Sequence, residues 1–181
     1  MLPPPHFLQR PSVSEDAQTL ASFEALYNEQ VAAGTGKSVT YTLEAPKWQF
    51  LCYLTDTKDV LLHGSIHADI AEFEPRQAVD AYAFGNQKAI YAASDGIWPL
   101  YFAIIDMKRH KGVSRLNACS RLLDQTGRLS EPYYFFSLNR EVLQAEPWCS
   151  GMIYVLPRAT FVQEPVQSKK GAQYQSARTV G

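Results

Sequence analysis

The chain has 181 residues, a formal net charge of −1, and 46% apolar and 12% aromatic residues. This suits one folded domain with its own core. It excludes the bulk positive field that draws proteins to nucleic acid or anionic lipid. Cys52, Cys119 and Cys149 are odd in number and widely spaced, which argues against a disulfide framework or a structural zinc site and fits a reducing cytoplasm.

No run of about eighteen apolar residues is present, so no membrane-spanning helix is expected. The start, Met1-Leu2-Pro3-Pro4-Pro5, lacks the basic-then-apolar order of a signal peptide. A proline-rich arm over residues 1–13 leads the chain. Ser12 and Glu15 have the capping-box spacing, and Leu20, Phe23, Leu26, Tyr27 and Val31 recur at helical intervals. A helix over roughly 14–33 is expected, stopped by Gly34 and Gly36. Ser38 to Leu43 alternates in the manner of a strand. Pro46 suits the first position of a short helix that places Trp48, Leu51, Cys52 and Leu54 on one face.

The apolar run from Val60 reads as a strand, residues 66–87 as mostly irregular, Lys88 to Ala93 as a strand, and 95–105 as a helix with Pro99 in its first turn or so. Beyond Asp106, strands are expected at 115–122, 133–138 and 152–156, with a short helix or turn at 141–144. Residues 14–166 form the expected single domain. Residues 167–181 are polar and aperiodic and read as a tail, or as a segment that a partner or more chain would order. Helices early and strands late give an α+β fold.

Two blocks carry the chemical signal. A buried strand ends on His63-Gly64-Ser65, and Phe84-Gly85-Asn86 leads through Ile90-Tyr91-Ala92-Ala93 into an apolar helix bearing Tyr101 and Phe102. His63 and Tyr91, at the ends of neighbouring strands, can grip a flat polar ligand between them. In these blocks the chain resembles the ADP-ribosyltransferase fold, in the branch of diphtheria toxin and the poly(ADP-ribose) polymerases. It also resembles a group of bacterial proteins of unassigned activity that share the HGS and YAASDGIW blocks.

The resemblance implies an α+β fold with N-terminal helices packed on a split, antiparallel-rich β core, and NAD as substrate. It implies that His63 bonds the adenosine ribose, that Gly64 offers its backbone to the nicotinamide carboxamide, where a side chain would obstruct, and that Ser65 adds a hydroxyl. Gly85, Asn86 and Ala92 complete the contacts. Tyr91 and one of Tyr101 or Phe102 sandwich the ring, where stacking a cation on an aromatic face gains about 0.5–2 kcal/mol. His63 and Tyr91 are the implied catalytic pair. In the active polymerases a Glu near the start of a late strand helps stabilise an oxocarbenium-like transition state. Here one register places Ser150 or Gly151 at that position, with Glu146 the nearest acid; another places it near Gln173-Tyr174-Gln175-Ser176, without an acid.

Each residue also has a plainer reading. His63 can be a satisfied structural histidine, Tyr91 core, Asp95 an N-cap, and Trp98 with Phe102 a helix-core pair. Cys149 reads as a buried thiol. Glu72, Glu74 and Asp80, and the basic run Lys108 to Lys111, read as solvated loops. His63 and His67 have a metal-like spacing only on a helix, and Gly64 argues against one.

The function expected is mono-ADP-ribosyl transfer or NAD glycohydrolysis. The alternatives are a non-catalytic NAD or ADP-ribose binding module, a protein-interaction or toxin-like component that needs a partner, and RNA 2′-phosphotransfer, for which Arg76 is the sole arginine near His63.

Overall fold

A computed structural model describes residues 6–80, 82–106, 108–110, 115–169 and 171–181. Helix α1 spans Ala17–Leu26 and continues as a π-helical turn, Tyr27–Val31. Its N-cap is Asp16, whose carboxylate accepts from Thr19 N at 2.8 Å, so the expected Ser12–Glu15 box lies one turn too early. Helix α2, Lys47–Thr57, follows Pro46, whose ψ of 139° keeps it just outside as the N-cap. Phe23 and Leu26 of α1 pack against Phe50, Tyr53 and Leu54 of α2, and against Val60. Lys58 Nζ lies 2.5 Å from Glu24 Oε2 across this junction.

The β structure forms two five-stranded antiparallel sheets. The first holds β2 (Val60–Ser65), β5 (Tyr91–Ala93), β8 (Met152–Pro157), β9 (Val162–Gln163) and β12 (Arg178–Val180), in the order β8-β2-β5-β12-β9. The second holds β1 (Leu8–Gln9), β6 (Arg115–Leu123), β7 (Tyr133–Leu138), β10 (Gln167–Lys169) and β11 (Ala172–Ser176), in the order β1-β7-β6-β11-β10. A two-residue ladder joins β3 (Arg76–Gln77) to β4 (Lys88–Ala89). Helices α3 (Trp98–Ala103) and α4 (Arg140–Gln144) complete an α+β architecture with few helices. Among the described residues no helix is long and apolar enough to cross a membrane.

The segment 167–181 is not a tail. β11 pairs with β6, and one residue later β12 pairs with β5. Ala177 sits at the crossing: its N–H bonds Cys119 O at 3.0 Å and its carbonyl accepts from Ser94 N at 2.9 Å. Thr179 is buried on an interior strand of its sheet. The polar composition hid these strands because they meet backbone ladders and polar side chains more than an apolar layer.

Three other expectations change. Residues 38–43 make no ladder. Val39, Tyr41 and Leu43 lie on the helical core, and Thr40 N bonds the Gln30 side chain at 2.7 Å instead of a strand partner. The strand expected over 88–93 is split at Ile90, which exchanges two 2.9 Å backbone bonds with Gly181. The leading arm is pinned at Leu8 and Gln9, which pair with Tyr134 and Tyr133; its first five residues lie outside the described ones.

Helix α3 seats directly on the first sheet. A Cβ at Gly64 would run into the carbonyl oxygen of Pro99, and one at Gly151 into that of Ala103. Both are backbone obstacles that cannot rotate away.

Candidate functional site

The ends of β2 and β5, the start of α3 and the first half of β6 surround a cavity of about 770 Å³. His63 and Tyr91 both line it, with Trp98, Phe102, Asn117 and Arg178 among the other walls. His63 and Tyr91 thus both contribute to the lining of one crevice.

His63 Nδ1 lies 2.6 Å from the backbone carbonyl of Tyr91. A carbonyl only accepts, so Nδ1 carries the proton and Nε2 of the neutral ring is left as an acceptor. The imidazole packs edge-on against Phe73, with centroids 5.0 Å apart. Burial lowers its pKa from the ordinary 6.5; the charge of Arg76 works the same way and the Tyr91 carbonyl opposes them. His63 is thus a neutral hydrogen-bonding group at neutral pH.

The hydroxyl of Tyr91 is engaged within its own segment. That hydroxyl lies 2.9 Å from both Gly85 O and Gln87 O and accepts from Gln87 N at 3.1 Å. It clamps the turn formed by the 3₁₀ segment Ala83–Gly85 onto the end of β5. Gly85 and Ala92 also line the cavity, as does Gly64. The glycine at 64 answers to the approach of α3, whatever a ligand does.

Three expected contacts do not face the cavity. Ser65 Oγ accepts from His67 N at 3.1 Å, because a short turn follows β2. Asn86 Oδ1 accepts from Gln77 Nε2 at 3.4 Å, drawn toward the β3 side. Tyr101 points the other way on α3: its hydroxyl bonds Ser137 O at 2.6 Å, and its ring stacks on Phe136 with centroids 4.9 Å apart. Of the two aromatic candidates on the helix, Phe102 is the one on the cavity.

Neither expected register for a late-strand acid reaches the crevice. β8 lies on the far side of β2 from β5, and Gln175 of β11 faces a different cavity. The strand beside β5 is β12, and it supplies Arg178. Arg178 Nη2 is 3.0 Å from Asp80 Oδ2, and its guanidinium carbon lies 5.9 Å from the Trp98 ring centre. Asp80, read from sequence as a solvated loop residue, is the carboxylate on this wall; Glu72 and Glu74 are not on it. Trp98 is buried, and its indole N–H donates to Asn117 Oδ1 at 2.8 Å.

The N-cap of α3 is Ile97 rather than the expected Asp95, which stands two residues earlier and braces the start of the helix with its side chain. Its carboxylate accepts from Ile97 N and Trp98 N at 2.8 and 2.7 Å, and from the Tyr134 hydroxyl at 2.7 Å. The cysteines are poor nucleophile candidates. Burial pushes the Cys52 thiol up to about 12 and Cys119 well above its usual value, and it raises Cys149 too. In the basic run, Asp106 caps a turn by accepting from Lys108 N and Arg109 N; Lys111 is outside the described residues.

None of the known family models, curated proteins or solved structures matches this chain.

Proposed function

We propose that the chain binds NAD or ADP-ribose in the crevice between β2, β5 and α3, on an ADP-ribosyltransferase-like scaffold, and that it acts as a binding module. The reading rests on one observation: His63, Tyr91 and Phe102, from three separate segments, line a single cavity with Trp98 and Arg178. The aromatic rings would hold a flat base. Arg178 supplies a fork for a phosphate group. Neutral His63 supplies a hydrogen-bond acceptor for a ribose hydroxyl.

Binding is favoured over turnover because the carboxylate on the wall, Asp80, already answers Arg178. A guanidinium beside the ring site also opposes an oxocarbenium ion, whereas glycosidic cleavage calls for negative charge there. Thermal stability of the full chain with NAD, ADP-ribose or nicotinamide tests the reading. A ligand at 100 times its dissociation constant adds about 2.7 kcal/mol, and His63→Ala and Tyr91→Ala should abolish the gain. Unchanged melting with millimolar NAD and ADP-ribose would defeat it.

A second reading, NAD glycohydrolysis or mono-ADP-ribosyl transfer, is favoured by the presence of Asp80 itself. A diphosphate that captured Arg178 would leave this carboxylate facing the ligand. Steady release of nicotinamide from NAD, lost in Asp80→Asn, would select it over the binding module.

A further inference from the structure

A second cavity, of about 790 Å³, opens between segment 9–15 and strands β6 and β11, and shares no lining residue with the first. Three arginines line it, Arg10, Arg121 and Arg158. Their partners are unequal. Arg158 Nε lies 3.3 Å from Asp59. Arg10 is ion-paired through its terminal nitrogens, with Asp56 at 2.5 Å and Glu131 at 4.0 Å. Its side chain is only 5% exposed, and its Nε–H is buried without an acceptor. Arg121 is half-buried and, among the described residues, forms no ion pair. Gln175 is its direct partner across the β6–β11 ladder, so the two side chains stand on the same face.

Four carboxylates line the cavity beside the three arginines, and three of the four are engaged. Asp56 and Glu131 are engaged by Arg10, and Asp95 is filled by two amides and a hydroxyl. Glu15, the fourth, is exposed, and among the described residues it forms no ion pair. A buried N–H left without an acceptor is costly, and a guanidinium has donors alone to offer. A ligand with several acceptor oxygens and a negative charge would answer the guanidinium of Arg121, which has no ion-pair partner among the described residues.

We propose that this second cavity is an oxyanion site for a phosphate or carboxylate group, held by Arg121 with Gln175 beside it on the same strand face. The test is calorimetric titration of the full chain at constant ionic strength with inorganic phosphate and, separately, with succinate, using sodium chloride as the blank. Saturable binding of one or both probes above the blank is expected, and the stronger probe identifies the group. Arg121→Gln should weaken it at least tenfold with an unchanged circular dichroism spectrum. Arg121→Lys, which keeps the charge but loses the fork, should fall between. The proposal is overturned if neither probe exceeds the blank, or if Arg121→Gln binds as the parent does. It is also overturned if Glu15→Gln and Arg121→Gln destabilise the chain equally without any anion response, because Glu15 is then the partner of Arg121.

Discussion

Arg178 reaches from β12 across the crevice to Asp80 and closes a 3.0 Å ion pair with it, against the face of Trp98. The side chains are 17% and 25% exposed, so the pair is largely withdrawn from water. The two halves predict opposite effects. Arg178→Gln removes the phosphate fork and should weaken ADP-ribose binding at least tenfold. Asp80→Asn frees the guanidinium and should tighten it. Fluorescence titration of both variants distinguishes this from a purely structural pair, for which both changes weaken binding.

The imidazole of His63 ties stability to pH. Its pKa in the folded chain is below the ordinary 6.5, chiefly through burial. As pH falls below that value the unfolded chain takes the proton first, so stability is full above about 6.5 and declines toward the folded pKa. Urea unfolding at about pH 7.5 and about pH 5.5 should show a drop in midpoint that shrinks in His63→Gln. An identical drop in that variant would assign the effect to other groups.

Gly64→Ala should destabilise the chain by about 1–3 kcal/mol without any ligand present, as overpacking against a fixed neighbour does. The added methyl meets the Pro99 carbonyl, which belongs to the backbone of α3. Unchanged stability, with a loss of ligand binding alone, would show that the glycine serves the ligand instead.

Tyr134→Phe leaves one oxygen of the Asp95 carboxylate without its donor. Asp95 is 2% exposed, so water cannot replace the hydroxyl readily, and a loss of about 1–3 kcal/mol is expected. Chemical denaturation measures it. A neutral result would mean that the Asp95 carboxylate tolerates the loss by moving.

The apolar and aromatic runs were the legible part of this chain. α2, β2, β7 and β8 follow from apolar and aromatic runs. Alternation at 38–43 also reported burial correctly, since Val39, Tyr41 and Leu43 pack inward. It could not report that a glutamine side chain, rather than a strand, would satisfy the backbone there. Half of the crevice was legible for the same reason: His63, Tyr91 and Phe102 stand in apolar blocks. Arg178 and Asn117 were not, because each comes from a strand whose distance from those blocks only the topology closes. The three residues of β12 offer a weak β signal in Thr179 and Val180, too short to outweigh the polar residues before it.

The step at Ala177 sets the order in which the molecule is completed. β2 and β5 share a single paired position, Leu62 with Ala93, whereas all three residues of β5 are paired by β12. Completion of the crevice should therefore wait for a distant stretch to return and pair with the tyrosine strand, a closure expected to be slow because so much intervening chain has to be gathered first. Until that happens Arg178 has no fixed place, and competence to hold a ligand should emerge only in the slowest phase of refolding.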